Sequence, residues 1–188
     1  MKLPLGFRAG AIAAGLKSSG ALDVTLIENQ GPRFDAAAVF TSNQVVAAPV
    51  IWSRQVAKGG IVRAVVLNSG GANACTGPQG FVDTHTTAES VGELLSISSG
   101  EVFVCSTGLI GELLPMGKLI TGIKNIVPNM HNDSLDAVAQ AIMTTDSVAK
   151  TITTNKFGVQ VSGIAKGAGM LAPALRSEER RVGKECVP

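Results

Sequence analysis

The stretch Ile61-Val-Arg-Ala-Val-Val-Leu67, followed by Asn68-Ser-Gly-Gly-Ala-Asn-Ala-Cys-Thr-Gly-Pro78, joins a run of mainly β-branched residues to a run of small and amide residues. A short apolar run of this kind predicts a buried strand. The small polar residues after it predict a loop. From Gln79 we expect a helix, with these apolar residues on its inner side: Phe81, Ala88, Val91 and Leu95. The order strand, polar loop, helix is typical of a mixed sheet protein.

Strands and helices alternate along the rest of the chain. The pattern predicts strands at residues 24–28, 36–40 and 101–105, with a turn at 29–32, and a hairpin across residues 151–164 that turns near 155–158. It predicts helices that begin at Pro49 and at Pro115, and a further helix whose N-terminus is capped by the side chain of Asp133 or Ser134. The fold class is therefore α/β or α+β.

Composition narrows the possible functions. The chain has 188 residues, of which 45% are hydrophobic and 16% charged, with a net charge of +2. This is enough apolar material for one domain, or a large part of one, and too much for a disordered chain. The small net charge gives no support for nucleic acid or membrane-surface binding, and no apolar run is long enough to span a membrane.

The cysteines and histidines offer little chemistry. Cys75, Cys105 and Cys186 are far apart and lack metal-ligand spacing, so we expect no metal site and a reducing cytoplasm. Cys105 ends a predicted buried strand and is expected to act as a small hydrophobic residue. His85 and His131 stand near no Ser or Cys in a nucleophile pattern.

Three short loops carry the chemistry that the residue types allow, at residues 68–78, 106–111 and 144–146. Hydroxyls, amides and backbone N–H groups in such loops bind oxyanions and small polar ligands. The Thr107 hydroxyl and the Gly108 N–H could face one developing negative charge, although glycine-rich turns after strands are often only turns. Lys166 could bind a carboxylate substrate, or could be a solvated loop lysine.

Several longer motifs occur in order along residues 6–175. They are Gly6-Phe-Arg-Ala-Gly10, the loop of residues 68–78, Cys105-Ser-Thr-Gly-Leu-Ile-Gly-Glu112, Ala141-Ile-Met-Thr-Thr-Asp146 and Ala165-Lys-Gly-Ala-Gly-Met-Leu-Ala-Pro173. Together these motifs resemble the ornithine acetyltransferase family, the bifunctional glutamate N-acetyltransferases of arginine biosynthesis.

The resemblance implies a fold and an activity. Members of the family are made as one precursor that cleaves itself before a threonine, which becomes the nucleophile at the start of a β chain, with its own amine as base. The acetyl group of N-acetylornithine passes to this threonine and then to glutamate, and some members also use acetyl-CoA. The expected fold is the α half of a layered α/β sandwich shared with self-processing aminopeptidases. The expected partner is the β chain in an α2β2 heterotetramer, with no cofactor.

The resemblance also implies roles for particular residues. Thr107 and Gly108 would form the oxyanion hole, and Lys166 with Thr144 and Thr145 would contact substrate. Of the two threonines, we favour Thr144.

The end of the chain departs from the family. Where the family has the Ala-Thr cleavage site, this chain has Arg176 and Ser177, and no β half follows. The nucleophile is therefore absent, and Ser177 stands at its position without the family's context. Gly71 also replaces a usual asparagine. Residues 176–188 are dense in charge and resemble a translated sequencing adapter, with a solvated extension as the alternative, so the predicted domain is 1–175.

Three functional hypotheses remain open at this stage. The first is the α portion of the acetyltransferase, inactive by itself. The second is the α portion of a self-processing aminopeptidase or amidase, and the third is a non-catalytic domain that binds a small ligand. Without a β chain, apolar faces would be exposed, and we expect poor solubility.

Overall fold

The computed structural model describes residues 1–167, which form a four-stranded sheet, four α-helices and a separate hairpin. The sheet strands are β1 (Phe7–Ile12), β2 (Val24–Asn29), β3 (Ala64–Gly71) and β4 (Val102–Leu109), in that spatial order. β1, β2 and β3 pair antiparallel, whereas β3 and β4 pair parallel. A parallel pair needs a crossover connection, and the helix between β3 and β4 provides it.

The helices are α1 (Ala48–Ala57), α2 (Gly77–Leu95), α3 (Met116–Ile126) and α4 (Leu135–Ala141). Helices α2 and α3 pack on one face of the sheet, where the main core contains Val66, Val91 and Ile123. Helix α4 packs with β1 through a second, smaller core that contains Ala9 and Val138. The sheet therefore has helices on both faces.

Helix α1 lies along the outer side of β4. The Trp52 Nε1–H donates to the Val102 carbonyl at 3.0 Å. The Ser53 hydroxyl donates to the Val104 carbonyl at 2.9 Å and accepts from the Val104 N–H at 3.2 Å. These side chains satisfy backbone groups that an edge strand otherwise presents to solvent.

The loop between β1 and β2, residues 13–23, is organised by one buried carboxylate. Asp23 is fully buried and accepts hydrogen bonds from the backbone N–H groups of Ala14 and Leu16, both at 2.6 Å, and of Lys17 at 3.1 Å. Charge-assisted hydrogen bonds of this kind are stronger than those between neutral groups. They fix the loop over the ends of β3 and β4.

Most predicted elements are confirmed, with shifts at their ends. The turn at residues 29–32, the helices at α1, α2 and α3, and the hairpin of β5 (Lys150–Lys156) and β6 (Val159–Ala165) all form. β1 was not predicted, because its alternation is weak and two of its six residues are glycine and arginine. Among residues 1–167, no helix combines the length and apolarity that a membrane span needs.

The strand predicted at residues 36–40 is wrong. No residue of this segment is in a strand, and only Asp35 forms an isolated bridge, with Ile61. The apolar side chains serve another purpose, because Val39 and Phe40 line a small cavity beside β4 and Phe40 also lies 5.7 Å from the Arg54 guanidinium. One backbone hydrogen bond, from the Ala36 N–H to the Gly60 carbonyl at 2.9 Å, holds the start of the segment in place of a ladder, and Val39 is 98% exposed.

Two further predictions need correction. Ser134 precedes α4, but its hydroxyl bonds to the Nδ1 of His131 at 2.5 Å and does not cap the helix. The segment of residues 106–109, predicted as a loop, continues β4 as far as Leu109, because parallel pairing with β3 extends to Gly70 and Gly71. The predicted domain boundary at 175 and the tail of 176–188 lie outside the described residues.

One face of the hairpin is apolar and exposed. Ile152, Val159 and Val161 are 65%, 60% and 57% exposed, and the antiparallel register places all three on the same face. The opposite face packs toward the domain through Ile164. Contiguous exposed apolar residues promote association.

We expect the triple substitution Ile152→Thr, Val159→Thr, Val161→Thr to raise the soluble fraction of residues 1–175 produced alone, because threonine keeps the β-propensity and removes apolar surface. The measurement is the soluble fraction after centrifugation, with light scattering of the supernatant. Ile61→Thr, at an exposed apolar residue outside the hairpin, is the control. Equal solubility of the two variants would contradict this explanation.

Candidate functional site

A cavity of about 740 Å³ lies at the carboxyl ends of the parallel strands β3 and β4. Polar ligands commonly bind at this end of parallel strands. Four segments meet here: the β1–β2 loop, the end of β3, the end of β4, and the residues on either side of the hairpin. The lining residues are Leu16, Lys17, Ser18, Ser19, Ser69, Gly70, Thr107, Gly108, Leu109, Thr144, Thr145, Lys166 and Gly167.

The strand ends approach each other closely enough to require glycine. Gly108 has φ +132°, and a Cβ on it would lie 2.6 Å from the Gly70 carbonyl carbon. A Cβ on Gly70 would lie 2.6 Å from the Leu16 Cβ. Both distances are shorter than real Cβ contacts, so the loop, β3 and β4 stack only because these positions are glycine. A register shift in the β3–β4 ladder lies at Gly71, and such bulges are common beside active sites.

A buried amide joins the two strands at the same level. The Asn68 Oδ1 accepts from the Ser106 hydroxyl at 2.6 Å, and the Asn68 Nδ2 donates to the Gly71 carbonyl at 3.0 Å. The Ser69 hydroxyl donates to the Ala141 carbonyl at the end of α4. These bonds bring the segment after α4, which carries Thr144, to the end of β3.

Lys166 joins two of the predicted site residues. Its Nζ donates to the Thr107 Oγ1 at 2.8 Å and to the Thr144 Oγ1 at 3.0 Å. Because an ammonium group only donates, both threonines keep their own hydroxyl hydrogens for a ligand. Burial lowers the pKa of Lys166; the charge of Asp146 opposes that shift and the charge of Lys150 adds to it.

Asp146 is a site residue whose role the sequence did not predict. Its Oδ1 accepts from the Gly167 N–H at 2.7 Å and from the Lys150 Nζ at 2.5 Å, and its Oδ2 accepts from the Thr144 N–H at 3.3 Å. The hydrogen bond from Lys150 holds the pKa of this carboxyl well below its usual range. Asp146 therefore positions Thr144 and the residue after Lys166. The sequence offered one hint of this role, because Lys150, a possible ion-pair partner, stands four residues after Asp146.

The structure brings together all five of the predicted site residues that fall within residues 1–167. Thr107, Gly108, Thr144, Thr145 and Lys166 all line the cavity, and of the two adjacent threonines it is Thr144 that bonds to Lys166. Thr107 and Gly108 lie in the last residues of β4. Ser177 lies outside the described residues.

The histidines and Cys105 lie away from the cavity. His85 packs against Trp52, with ring centroids 5.0 Å apart, and His131 bonds to Ser134. Cys105 was predicted as a buried small residue, but its surface is exposed in a separate cavity of about 270 Å³. Surrounding atoms still desolvate the thiol enough to raise its pKa to about 11. Within residues 1–167, no three His, Cys, Asp or Glu residues cluster to hold a metal ion.

The sequence matches a family model and is similar to curated proteins over most of its length. The model of the ArgJ family matches residues 8–177. The chain belongs to the ArgJ family. The arginine biosynthesis bifunctional protein ArgJ of Streptomyces avermitilis is 60% identical over 170 residues, covering 90% of this chain and 44% of that protein. The ArgJ protein of Mycobacterium tuberculosis is 56% identical over 180 residues, covering 92% of this chain and 45% of that protein.

Solved ArgJ structures confirm the fold. Ornithine acetyltransferase complexed with ornithine, from Mycobacterium tuberculosis, superposes with a TM-score of 0.88 at 56% identity, covering 90% of this chain and 92% of that one. The bifunctional ArgJ of Bacillus halodurans gives a TM-score of 0.80 at 37% identity, covering 92% and 96%. This chain spans less than half the length of the curated ArgJ relatives that it matches.

Replacing Asp146 by asparagine should lower the pKa of Lys166 further, because the negative charge that raises it is removed while an acceptor for the Gly167 N–H remains. Lys166 would then lose its proton at a lower pH. The measurement is an NMR titration of the lysine ¹³Cε resonances, assigned by Lys166→Arg.

Asp133→Asn is the matched control, because Asp133 is an exposed carboxylate beside His131, away from the cavity. It should leave the pKa of Lys166 unchanged. An Asp146→Asn protein with an unchanged or raised Lys166 pKa would contradict the electrostatic role of Asp146.

Proposed function

We propose that this chain is the α portion of a glutamate N-acetyltransferase, which passes an acetyl group from N2-acetyl-L-ornithine to L-glutamate. The observation that carries the proposal is the Lys166 ammonium group, bonded to the hydroxyls of Thr107 and Thr144 at the cavity of an ArgJ family chain. The relative solved with ornithine supports an amino acid as the ligand class.

Substrate binding follows from charge and donor direction. Lys166 provides a positive group for the α-carboxylate that both amino-acid substrates carry. The Thr144 hydroxyl keeps its hydrogen and can donate to the same carboxylate. Asp146 holds Thr144 and Gly167, so the two contacts keep a fixed spacing. Thr145 lines the same cavity and is a second candidate contact.

Strand β4 supplies both donors of the proposed oxyanion hole. The Thr107 hydroxyl accepts from Lys166 and keeps its hydrogen for the oxygen of the tetrahedral intermediate. The Gly108 N–H is the second donor. The hydrogen bond from the Lys166 ammonium group polarises the Thr107 hydroxyl and makes it a stronger donor. Donors fixed before reaction stabilise the transition state without reorganisation.

The transfer needs a nucleophile that the described residues do not contain. In the proposed reaction, the hydroxyl of a threonine at the start of a β chain attacks the acetyl carbonyl and releases the ornithine amine. The glutamate amine then attacks the acyl-threonine ester and restores the hydroxyl. Residues 1–175 by themselves are expected to be inactive. Acetyl-CoA is a possible second donor, an α2β2 heterotetramer with the β chain is the proposed assembly, and the cytoplasm is the proposed location.

Reconstitution tests this function. Residues 1–175 should be produced together with the C-terminal segment of the Streptomyces avermitilis relative that begins at the threonine proposed as nucleophile. The complex should convert N-acetylornithine and glutamate to ornithine and N-acetylglutamate, and residues 1–175 alone should not. A folded complex without transfer would contradict the proposal. Cleavage of peptide amides in place of transfer would indicate the aminopeptidase alternative, and tight ligand binding without either reaction would indicate a binding domain.

Replacing Thr107 by alanine in this complex should lower kcat by about 10²–10³, since one oxyanion donor is worth about 3–4 kcal/mol of transition-state stabilisation. KM should change much less, because the oxyanion forms only during reaction. The measurement is steady-state kinetics of ornithine release. Thr153→Ala is the control, because the Thr153 hydroxyl bonds to Ser162 within the hairpin, outside the cavity. An equal effect of the two substitutions would exclude the role of Thr107.

A further inference from the structure

Lys17 is a second lysine on the cavity that holds Lys166, and the proposed reaction has not used it. It lines the main cavity together with Lys166 and also lines an adjoining cavity of about 500 Å³, with Gln140 and Met143. Lys17 therefore lies between the reaction site and a side space that continues from it. Both cavities include Thr144, which places Lys17 near the proposed carboxylate site.

The backbone at Lys17 is held rigidly. Its N–H donates to the buried carboxylate of Asp23 at 3.1 Å, and the neighbouring Leu16 lies against Gly70. Its Nζ donates to the Leu22 carbonyl at 2.8 Å. An ammonium group has three donors, and within residues 1–167 this is the hydrogen bond that the Nζ makes, so donors remain for a ligand.

The charge of Lys17 is set by the same surroundings. Burial lowers the pKa of Lys17, the charge of Asp23 opposes that shift, and the positive charge of Lys166 adds to it. Two ammonium groups that repel each other across one cavity favour a ligand with two negative charges over a ligand with one.

The two amino acids of the proposed reaction differ in the number of negative charges that they carry. Both carry an α-carboxylate, but the side chain of glutamate is a second carboxylate, whereas the side chain of ornithine is an ammonium group. We propose that Lys17 binds the side-chain carboxylate of the acceptor and so selects an acidic amino acid for the second half of the transfer. This role of Lys17 rests on the proposed function, and the experiment below distinguishes failure of the role from failure of the function.

The alternative is that Lys17 only closes the β1–β2 loop through its bond to Leu22. Lys118 on α3 provides a matched control for that reading. Its Nζ donates to the Gly15 carbonyl of the same loop at 3.1 Å, and it faces a different cavity. Removing Lys118 weakens an anchor of the loop and leaves the charges of the main cavity in place.

The experiment compares Lys17→Met and Lys118→Met in the reconstituted complex, with glutamate and glutamine as acceptors. Glutamine matches glutamate in shape and lacks its side-chain charge. The preference for glutamate over glutamine, as a ratio of kcat/KM, should fall by about 10- to 100-fold in Lys17→Met, as expected for loss of a charged hydrogen bond. It should stay unchanged in Lys118→Met. The rate of acetyl transfer from N-acetylornithine to the enzyme should not fall in Lys17→Met, because the ammonium side chain of the donor gains no attraction from a second ammonium group.

A measurement on the unsubstituted complex keeps the test independent of how the variants fold. Glutarate has two carboxylates and butyrate one, and glutarate should compete with glutamate at a concentration about tenfold lower. Equal inhibition by the two, or an unchanged acceptor preference in Lys17→Met, would overturn the role of Lys17 while transfer by the unsubstituted complex still stands. Absence of transfer by that complex would instead overturn the proposed function, and this role with it.

Discussion

The close stacking of three backbone segments is the constraint on which the site depends. Gly108 lies against Gly70, and Gly70 lies against Leu16, each at a distance that leaves no room for a Cβ. This stacking allows parallel strands to carry Thr107 to the cavity from one side, while the β1–β2 loop brings Lys17 from the other. Larger residues would separate the layers and open the cavity.

Charge is sparse in this chain, and the charged residues at the cavity have separate tasks. With 16% charged residues overall, the cavity and its wall still contain Lys17, Lys166 and Lys150, together with the carboxylates of Asp23 and Asp146. Each carboxylate accepts several N–H bonds and fixes a backbone segment, whereas two of the lysines face the cavity. The carboxylates thus position the site, and the lysines are left to bind anions.

Features that depend on neighbouring residues could be predicted from the sequence, whereas features that depend on pairing between distant segments could not. Turn residues and apolar periodicity predicted helix α2 and the hairpin, residue types indicated Thr107, Gly108 and Lys166, and the family resemblance added Thr144 and Thr145. The segment of residues 36–40 has strand-like composition, but nothing in the sequence shows that it lacks a strand partner. The role of Asp146 depends on Gly167, twenty-one residues away, and that of Lys17 on a loop fold set by Asp23.

The surroundings of Cys105 have a practical consequence for handling the protein. Because desolvation raises the pKa of Cys105 to about 11, its thiol stays protonated at pH 7, although the residue is exposed. Alkylating reagents and peroxide react with the thiolate. Cys105 should therefore label and oxidise slowly at neutral pH, so that Cys75, which is also exposed, is the better attachment point for a spectroscopic probe.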